Sequence, residues 1–147
     1  MNWHRTAKEI CKFVREHYKP WRNSQMRPLR DYFRWYAERN LLSVVWCNGR
    51  IAAVGATRFF YRLEDYHNEF VNLEDGPLCR CELYGAIHPL FIPQVVAKMA
   101  KGRNEHKAYM WHRKGETKPR IYSESQFKRI LLLMVNYYGR RRSTNPT

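Results

Sequence analysis

The chain of 147 residues is short of the residues from which several common sites are built. Its four cysteines, Cys11, Cys47, Cys79 and Cys81, form no CxxC pair, and Cys79 and Cys81 stand at i and i+2, pointing the same way along a strand. With no partners at metal-ligand spacing, they read as small reduced core residues, and no metal site is expected. Glycine is sparse, seven in all, with none between Gly85 and Gly102. No stretch approaches the roughly 18 uncharged apolar residues that would span a bilayer. The opening MNWHRTAKEICKF is too polar for a secretory signal. The expectation is therefore a soluble, cytoplasmic protein with no membrane partner. Acidic residues are scarce too: Asp+Glu number 13 against 27 Lys+Arg, a formal charge of +14. That balance favours anionic partners such as nucleic acid, phosphorylated cofactors or an acidic protein surface, without choosing among them.

Apolar material is ample, at 44% hydrophobic and 15% aromatic residues, and a chain of this length buries roughly 70% of its unfolded surface. One α+β domain over residues 1–139 is expected, followed by a mobile basic tail, RRRSTNPT, at 140–147. The charge is uneven. Residues 1–40 hold 10 basic and 4 acidic side chains, residues 41–97 hold 4 and 6, and residues 98–147 hold 13 and 3. The acidic middle comes largely from LEDYHNEFVNLEDG at 63–76, which reads as an exposed loop.

Periodicity supplies the element order. Ala7, Ile10, Cys11, Val14 and Tyr18 recur at helical spacing, with Arg5, Lys8, Lys12 and Arg15 on the other side, and Pro20 ends that helix. Ser24 can cap a second helix with Leu29, Tyr32, Phe33, Tyr36 and Ala37 inward and Arg27, Arg30 and Arg34 outward. LLSVVWC, Asn48-Gly49 and RIAAVGATRFFY then spell a β-hairpin. LCRCELYGAI (78–87) makes a third strand, ended by His88-Pro89. A helix follows, with Pro93 in its first turn, Val96, Met99 and Ala100 inward, and Gly102 as its stop. KAYMWHR (107–113), a KGETK turn and PRIYS give two more strands. The Ser-x-x-Gln capping box at 123–126 opens a last helix, with Phe127, Ile130, Leu131, Met134, Val135 and Tyr138 inward and Gly139 as its stop. The order ααβββαββα implies a mixed, mostly antiparallel central sheet flanked by helices.

Two N-terminal helices, the hairpin VVWCNGRIAAVGATRFF, and the strand ELYGAIHP leading into a helix resemble the GNAT superfamily of N-acetyltransferases over residues 5–138. The resemblance implies a sheet splayed beside strand 78–87, with acetyl-CoA in the opening and its pyrophosphate at the start of the following helix. The physics of that placement is general: the first amides of a helix lack internal partners and carry the positive end of the dipole. The family's loop there is Q/R-x-x-G-x-G/A, whereas this chain has HPLFIPQVVAKMAKG. Pro93 lacks an N–H, and Leu90, Phe91 and Ile92 put bulk where bare backbone is needed. The acyl-CoA site is thus expected to be degenerate and no bound cofactor is expected. If acetyl-CoA does bind, Ile87, Ile92, Gln94 and Val95 are the residues in place for it, with strand amides at 82–87.

Acetyl transfer needs a base for the amine and an acid for the leaving thiolate. Glu82 is the candidate base and Tyr122 or Tyr109 the candidate acid. Against this, Glu82 alternates with Cys81 and Leu83 as the outward member of a half-buried strand would, and strand tyrosines usually pack. His88 precedes a proline at a strand end, a structural position, and His106 and His112 are weaker candidates still. The competing reading is a nucleic-acid surface. Eighteen of the 27 basic residues are Arg, whose planar fork suits phosphate. KPWR, RDYFRWY and KAYMWHRK set aromatics beside cations, a pattern that stacks unpaired bases. No helix-turn-helix, RNP, KH or zinc-finger signature is visible, so the expected binding is non-specific and salt-sensitive, through Arg30, Arg34 and the tail residues Arg140, Arg141 and Arg142. The sequence therefore points first to a non-catalytic GNAT-like binding or structural protein with a basic surface. An active N-acetyltransferase comes second. A phage virion or phage–host interaction protein, which small divergent domains of this kind resemble, comes third.

Overall fold

Asn48 and Gly49 both adopt positive φ, 51° and 75°, the requirement of a two-residue turn matched to strand twist. They join β1 (Leu42–Cys47) to β2 (Arg50–Phe60) as the hairpin the sequence predicts. In the computed structural model, which describes residues 2–100, 108–112 and 116–144 and side chains as far as residue 138, this hairpin begins an α+β fold. Its five-stranded sheet runs β1-β2-β3-β4-β5, with β3 at Leu78–Ala86, β4 at Ala108–Trp111 and β5 at Arg120–Ser123. Every pairing is antiparallel except β3 with β4.

Helices α1 (Trp3–His17) and α2 (Met26–Glu38), joined by a 3-10 turn at Lys19–Trp21, pack on one face. Ala7, Ile10, Cys11 and Val14 of α1 are fully buried, as their spacing requires, and Trp3 and Phe13 widen the buried stripe. Helices α3 (Phe91–Ala100) and α4 (Glu124–Thr144) meet on the other face, where Val95 packs against Val45, Ala52 and Ala53. The four cysteines are thiols, and burial pushes the Cys11 thiol up to about 11, with Arg30 pulling against it.

Several sequence expectations are corrected. The α2 cap is Gln25, not Ser24, and its side chain makes no capping bond. Helix α3 does have Pro93 in its first turn, as expected. Helix α4 does not stop at Gly139: its backbone continues through Arg140, Arg141 and Arg142 to Thr144. A helix interior tolerates one glycine at about 1 kcal/mol, and the arginines that follow are good helix formers. Val135 faces outward, 50% exposed. The capping box forms in full: Ser123 N–H donates to Gln126 Oε1 at 2.9 Å and Gln126 N–H to Ser123 Oγ at 3.3 Å. Gly102, His106 and residues 145–147 lie outside the described residues.

The acidic segment is not a free loop. It contains a 3-10 turn at Leu63–His67 whose Tyr66 is only 2% exposed. Arg58, buried on β2, donates to the carbonyls of Tyr66 (2.6 Å), Asp65 and Val71 (3.2 Å each). Its cross-strand neighbour Arg80 donates to the Tyr66 carbonyl at 2.8 Å and lies over the Tyr66 ring. Two strand arginines thus satisfy carbonyls that burial would otherwise leave unpaired.

Candidate functional site

β3 is the element around which the site is built. Its first three residues pair with β4 (Leu78 with Ala108, Cys79 with Tyr109, Arg80 with Met110), and there the parallel ladder ends. Residues 81–86 continue as strand with β2 on one side and no strand on the other among the described residues. A bulge contributes to the parting: Val54 faces Gly85 and Gly55 faces Leu83, leaving Tyr84 as the extra residue. Gly85 adopts φ +145°, and a Cβ there would lie 2.5 Å from the His17 Cβ, so only glycine lets the end of α1 close against the bulge.

The opening holds a cleft of about 900 Å³ that passes from the α1 side of the sheet to the α3–α4 side. Ile92, Val96 and Met99 of α3 form one wall, and Phe127, Ile130, Leu131 and Met134 of α4 form another. Trp111 and His112 close the β4 end, and His17, Tyr18 and Lys19 line the α1 mouth. Glu82 also lines the cleft. Its carboxylate accepts from Arg80 Nη2 at 2.5 Å and from the Tyr18 hydroxyl at 3.2 Å. Tyr18 is pushed up to about 12, by burial first and then by the charge of Glu82.

Behind Glu82 the polar contacts continue inward. The Tyr84 and Tyr32 hydroxyls share a hydrogen bond of 2.7 Å, Tyr32 donates to Tyr36 at 3.3 Å, and Tyr36 donates to the Glu69 carbonyl at 2.8 Å. The Tyr66 hydroxyl and His112 Nδ1 lie 2.6 Å apart, and His112 Nε2 is 3.3 Å from the Thr117 carbonyl.

Of the residues the sequence offers for chemistry, Glu82 stands in the cleft and Tyr122 does not. Tyr122 is on β5, stacked on Trp111 with ring centroids 4.3 Å apart, outside the cleft wall. Tyr109 is buried and stacked on Phe127 at 4.0 Å. The tyrosine brought to Glu82 is Tyr18, which the sequence reading counts as helix packing. Of the four cofactor positions, Ile92 alone lines the cleft. Val95 is fully buried in the α3 core, Gln94 is exposed, and Ile87 is 52% exposed with its N–H donating to the Ala52 carbonyl at 2.8 Å.

The amides that lead into α3 are engaged from Leu90 to Ile92. Leu90 N–H donates to His88 Nδ1 (3.1 Å), Phe91 N–H to the His88 carbonyl (3.0 Å) and Ile92 N–H to the Pro89 carbonyl (3.1 Å), and Pro93 has none to give. His88 is therefore a helix-capping residue, and the amides of residues 90–92 are not left over for a diphosphate.

The outer surface of α1 and α2 carries the basic stripes. Arg5, Lys8 and Lys12 stand opposite the α1 core residues, and Arg27, Arg30 and Arg34 opposite those of α2, all exposed, with Lys19 and Arg22 exposed on the turn between. Among the described residues only Arg34 of these has a carboxylate partner, Glu38 at 2.8 Å. The interleaved tryptophans, by contrast, are half-buried against other side chains. Trp21 packs among Tyr18, Tyr32, Phe33 and Tyr84, Trp35 lies between Phe70 and the Arg39 guanidinium, and Trp111 stacks on Tyr122. The expected base-stacking platforms are thus consumed by the fold. The side chains of Arg140, Arg141 and Arg142 lie outside the described residues. No group of three or more His, Cys, Asp or Glu side chains suited to a metal ion occurs among the described residues. None of their helices is long and apolar enough to cross a membrane. No family model, curated protein or solved structure matches the chain.

Proposed function

We propose that this protein is a GNAT-like domain without acyl-transfer chemistry that binds nucleic acid through phosphate, using the outer surface of α1 and α2. The observation that carries the reading is the double stripe of exposed cations, seven of the eight named above without a carboxylate partner among the described residues. Such a surface releases condensed counterions from a polyanion and so binds with steep salt dependence. With Trp21, Trp35 and Trp111 half-buried against other rings, the tryptophans that the sequence sets beside cations offer bases little stacking area, and no preference for single strands is expected. Against transfer stands the start of α3, where the amides of Leu90, Phe91 and Ile92 are engaged and Pro93 has none.

The test is titration of the full chain with duplex and single-stranded DNA of equal length across salt concentrations. If about six phosphates are contacted, the duplex slope of log K against log salt is about −5. Replacing Arg27, Arg30 and Arg34 with Gln reduces it by about 3, and replacing Arg140 to Arg142 measures the share of the α4 end separately. A salt-independent affinity, or marked preference for single strands, defeats the reading. The second reading, an acetyl-CoA-dependent N-acetyltransferase, draws on Glu82 and Tyr18 meeting in the cleft. It requires acetyl-CoA at 100 times its dissociation constant to stabilise the fold by about 2.7 kcal/mol. The expected thermal shift is negligible, and a clear one replaces the first reading with the second.

A further inference from the structure

We propose that the cleft between β3, α3 and α4 is a binding site for a long-chain carboxylic acid, its hydrocarbon chain along the helix walls and its carboxylate at the α1 mouth. The site shares Lys19 with the basic surface, and fatty-acid binding is read separately from DNA binding. A volume of about 900 Å³ lies within the range of small-molecule sites and suits an elongated ligand. The α4 wall is apolar yet only half-buried at Ile130, Leu131 and Met134, whereas Phe127, one turn earlier, is 2% exposed. These side chains lack partner atoms on the cleft side, and a hydrocarbon chain would supply them. Met99 and Met134, on opposite walls, have the flexible thioethers that adapt to a chain of variable path.

Charge at the rim selects the head group. Glu82 is the one carboxylate of the described lining, and its charge is already met by Arg80 at 2.5 Å and by the Tyr18 hydroxyl. Lys19, exposed at the mouth, has no carboxylate partner among the described residues, and the imidazole of His17 stands beside the same cleft as a further donor. An anion therefore gains an ammonium partner there, whereas an alkylammonium would have to compete with Arg80 for Glu82. A coenzyme-A thioester would place a diphosphate at the α3 turn, where the amides of Leu90, Phe91 and Ile92 are already engaged and Pro93 has none.

Full-length protein is titrated with saturated fatty acids of 8, 12 and 16 carbons below their micellar concentrations, read by tryptophan fluorescence and by displacement of a fluorescent fatty acid. Affinity should rise about fourfold per methylene until the cleft is full. A 16-carbon alkylamine should bind at least tenfold more weakly than the acid. Leu131→Trp, which fills the cleft, should weaken binding at least tenfold, while Leu133→Trp on the outer side of α4 leaves it unchanged. If Leu131→Trp does not fold, Lys19→Glu on the exposed mouth decides the matter by weakening the acid and strengthening the amine. Absence of saturable binding, equal affinity for acid and amine, or indifference to both Leu131→Trp and Lys19→Glu overturns the proposal.

Discussion

The two faces of the sheet solve the same problem differently. Toward α1 and α2, β2 and β3 present Arg58, Arg80, Glu82 and Tyr84, and nearly every polar tip finds a partner within the protein. Toward α3 and α4 the side chains are mostly apolar, Thr57 excepted, and past Arg80 the wall stands away from the strand and leaves a cleft. Directional bonds require the first face to close completely, because a half-satisfied buried network costs more than an apolar one. Dispersion contacts make no such demand, so the second face can stay open at modest cost. Binding of a ligand against the sheet is accordingly expected at the open face, while the closed face supplies stability and its helices keep only their outer surface for partners.

That division is most directly broken at Arg58. Arg58→Met removes the donor to three carbonyls of the segment 63–76 and should destabilise the protein by about 3 kcal/mol or more, read as a lower urea midpoint. The same variant should leave fatty-acid affinity unchanged where it remains folded, since Arg58 is not in the cleft wall. A loss below about 1 kcal/mol would mean that the segment is held elsewhere. Next in size is Gly85→Val, which forces a side chain at φ +145° against His17 and should cost about 2 to 3 kcal/mol. Because this bulge helps set where β3 and β4 part, ligand affinity should fall with it.

Alkali tests the closed face as a whole. Tyr18 is pushed up to about 12, and burial raises Tyr32, Tyr36, Tyr66 and Tyr84 as well. Folded values above the unfolded value mean that the native state holds its phenolic protons longer. The stabilisation is complete below about pH 10 and is lost as pH rises from there toward 12 and beyond. For Tyr18 alone, about half-exposed and discounted for solvent screening, this is about 1 kcal/mol. Absorbance titration at alkaline pH should show this group ionising only with unfolding. Ionisation of all ten tyrosines near pH 10 in the folded protein would show the network to be open to water.

The sequence was legible where the signal is local. Asn48-Gly49, the Ser123–Gln126 box and the helical stripes each need only neighbours within a turn or two, and each forms. Failures arise where a distant partner decides. Nothing near 63–76 says that Arg58 and Arg80 will reach its carbonyls, although β2, apolar on both faces as RIAAVGATRFF, implies a central strand in which an arginine must find partners. The site follows the same rule. Glu82 and Ile92 could be read from strand and helix position, but Tyr18, 64 residues from Glu82 in sequence, could not. The aromatics interleaved with arginine misled for a related reason: composition places Trp21 and Trp35 beside cations in the chain, whereas packing turns both rings toward other rings.

The smallest effect expected is on the outer side of α4, where Leu132 and Leu133 are 62% and 59% exposed. Replacing Leu133 with Lys removes no buried contact and adds a charge in water, so stability should change by no more than about 0.5 kcal/mol. The comparison of faces depends on this being so, because it treats α4 as a wall with one working side. If Leu133→Lys instead lowers the melting temperature by several degrees, and the loss depends on protein concentration, the outer side is covered in solution by a second copy. The cleft wall would then be braced from behind, and the openness of the α3–α4 face would belong to the assembly and not to the single chain.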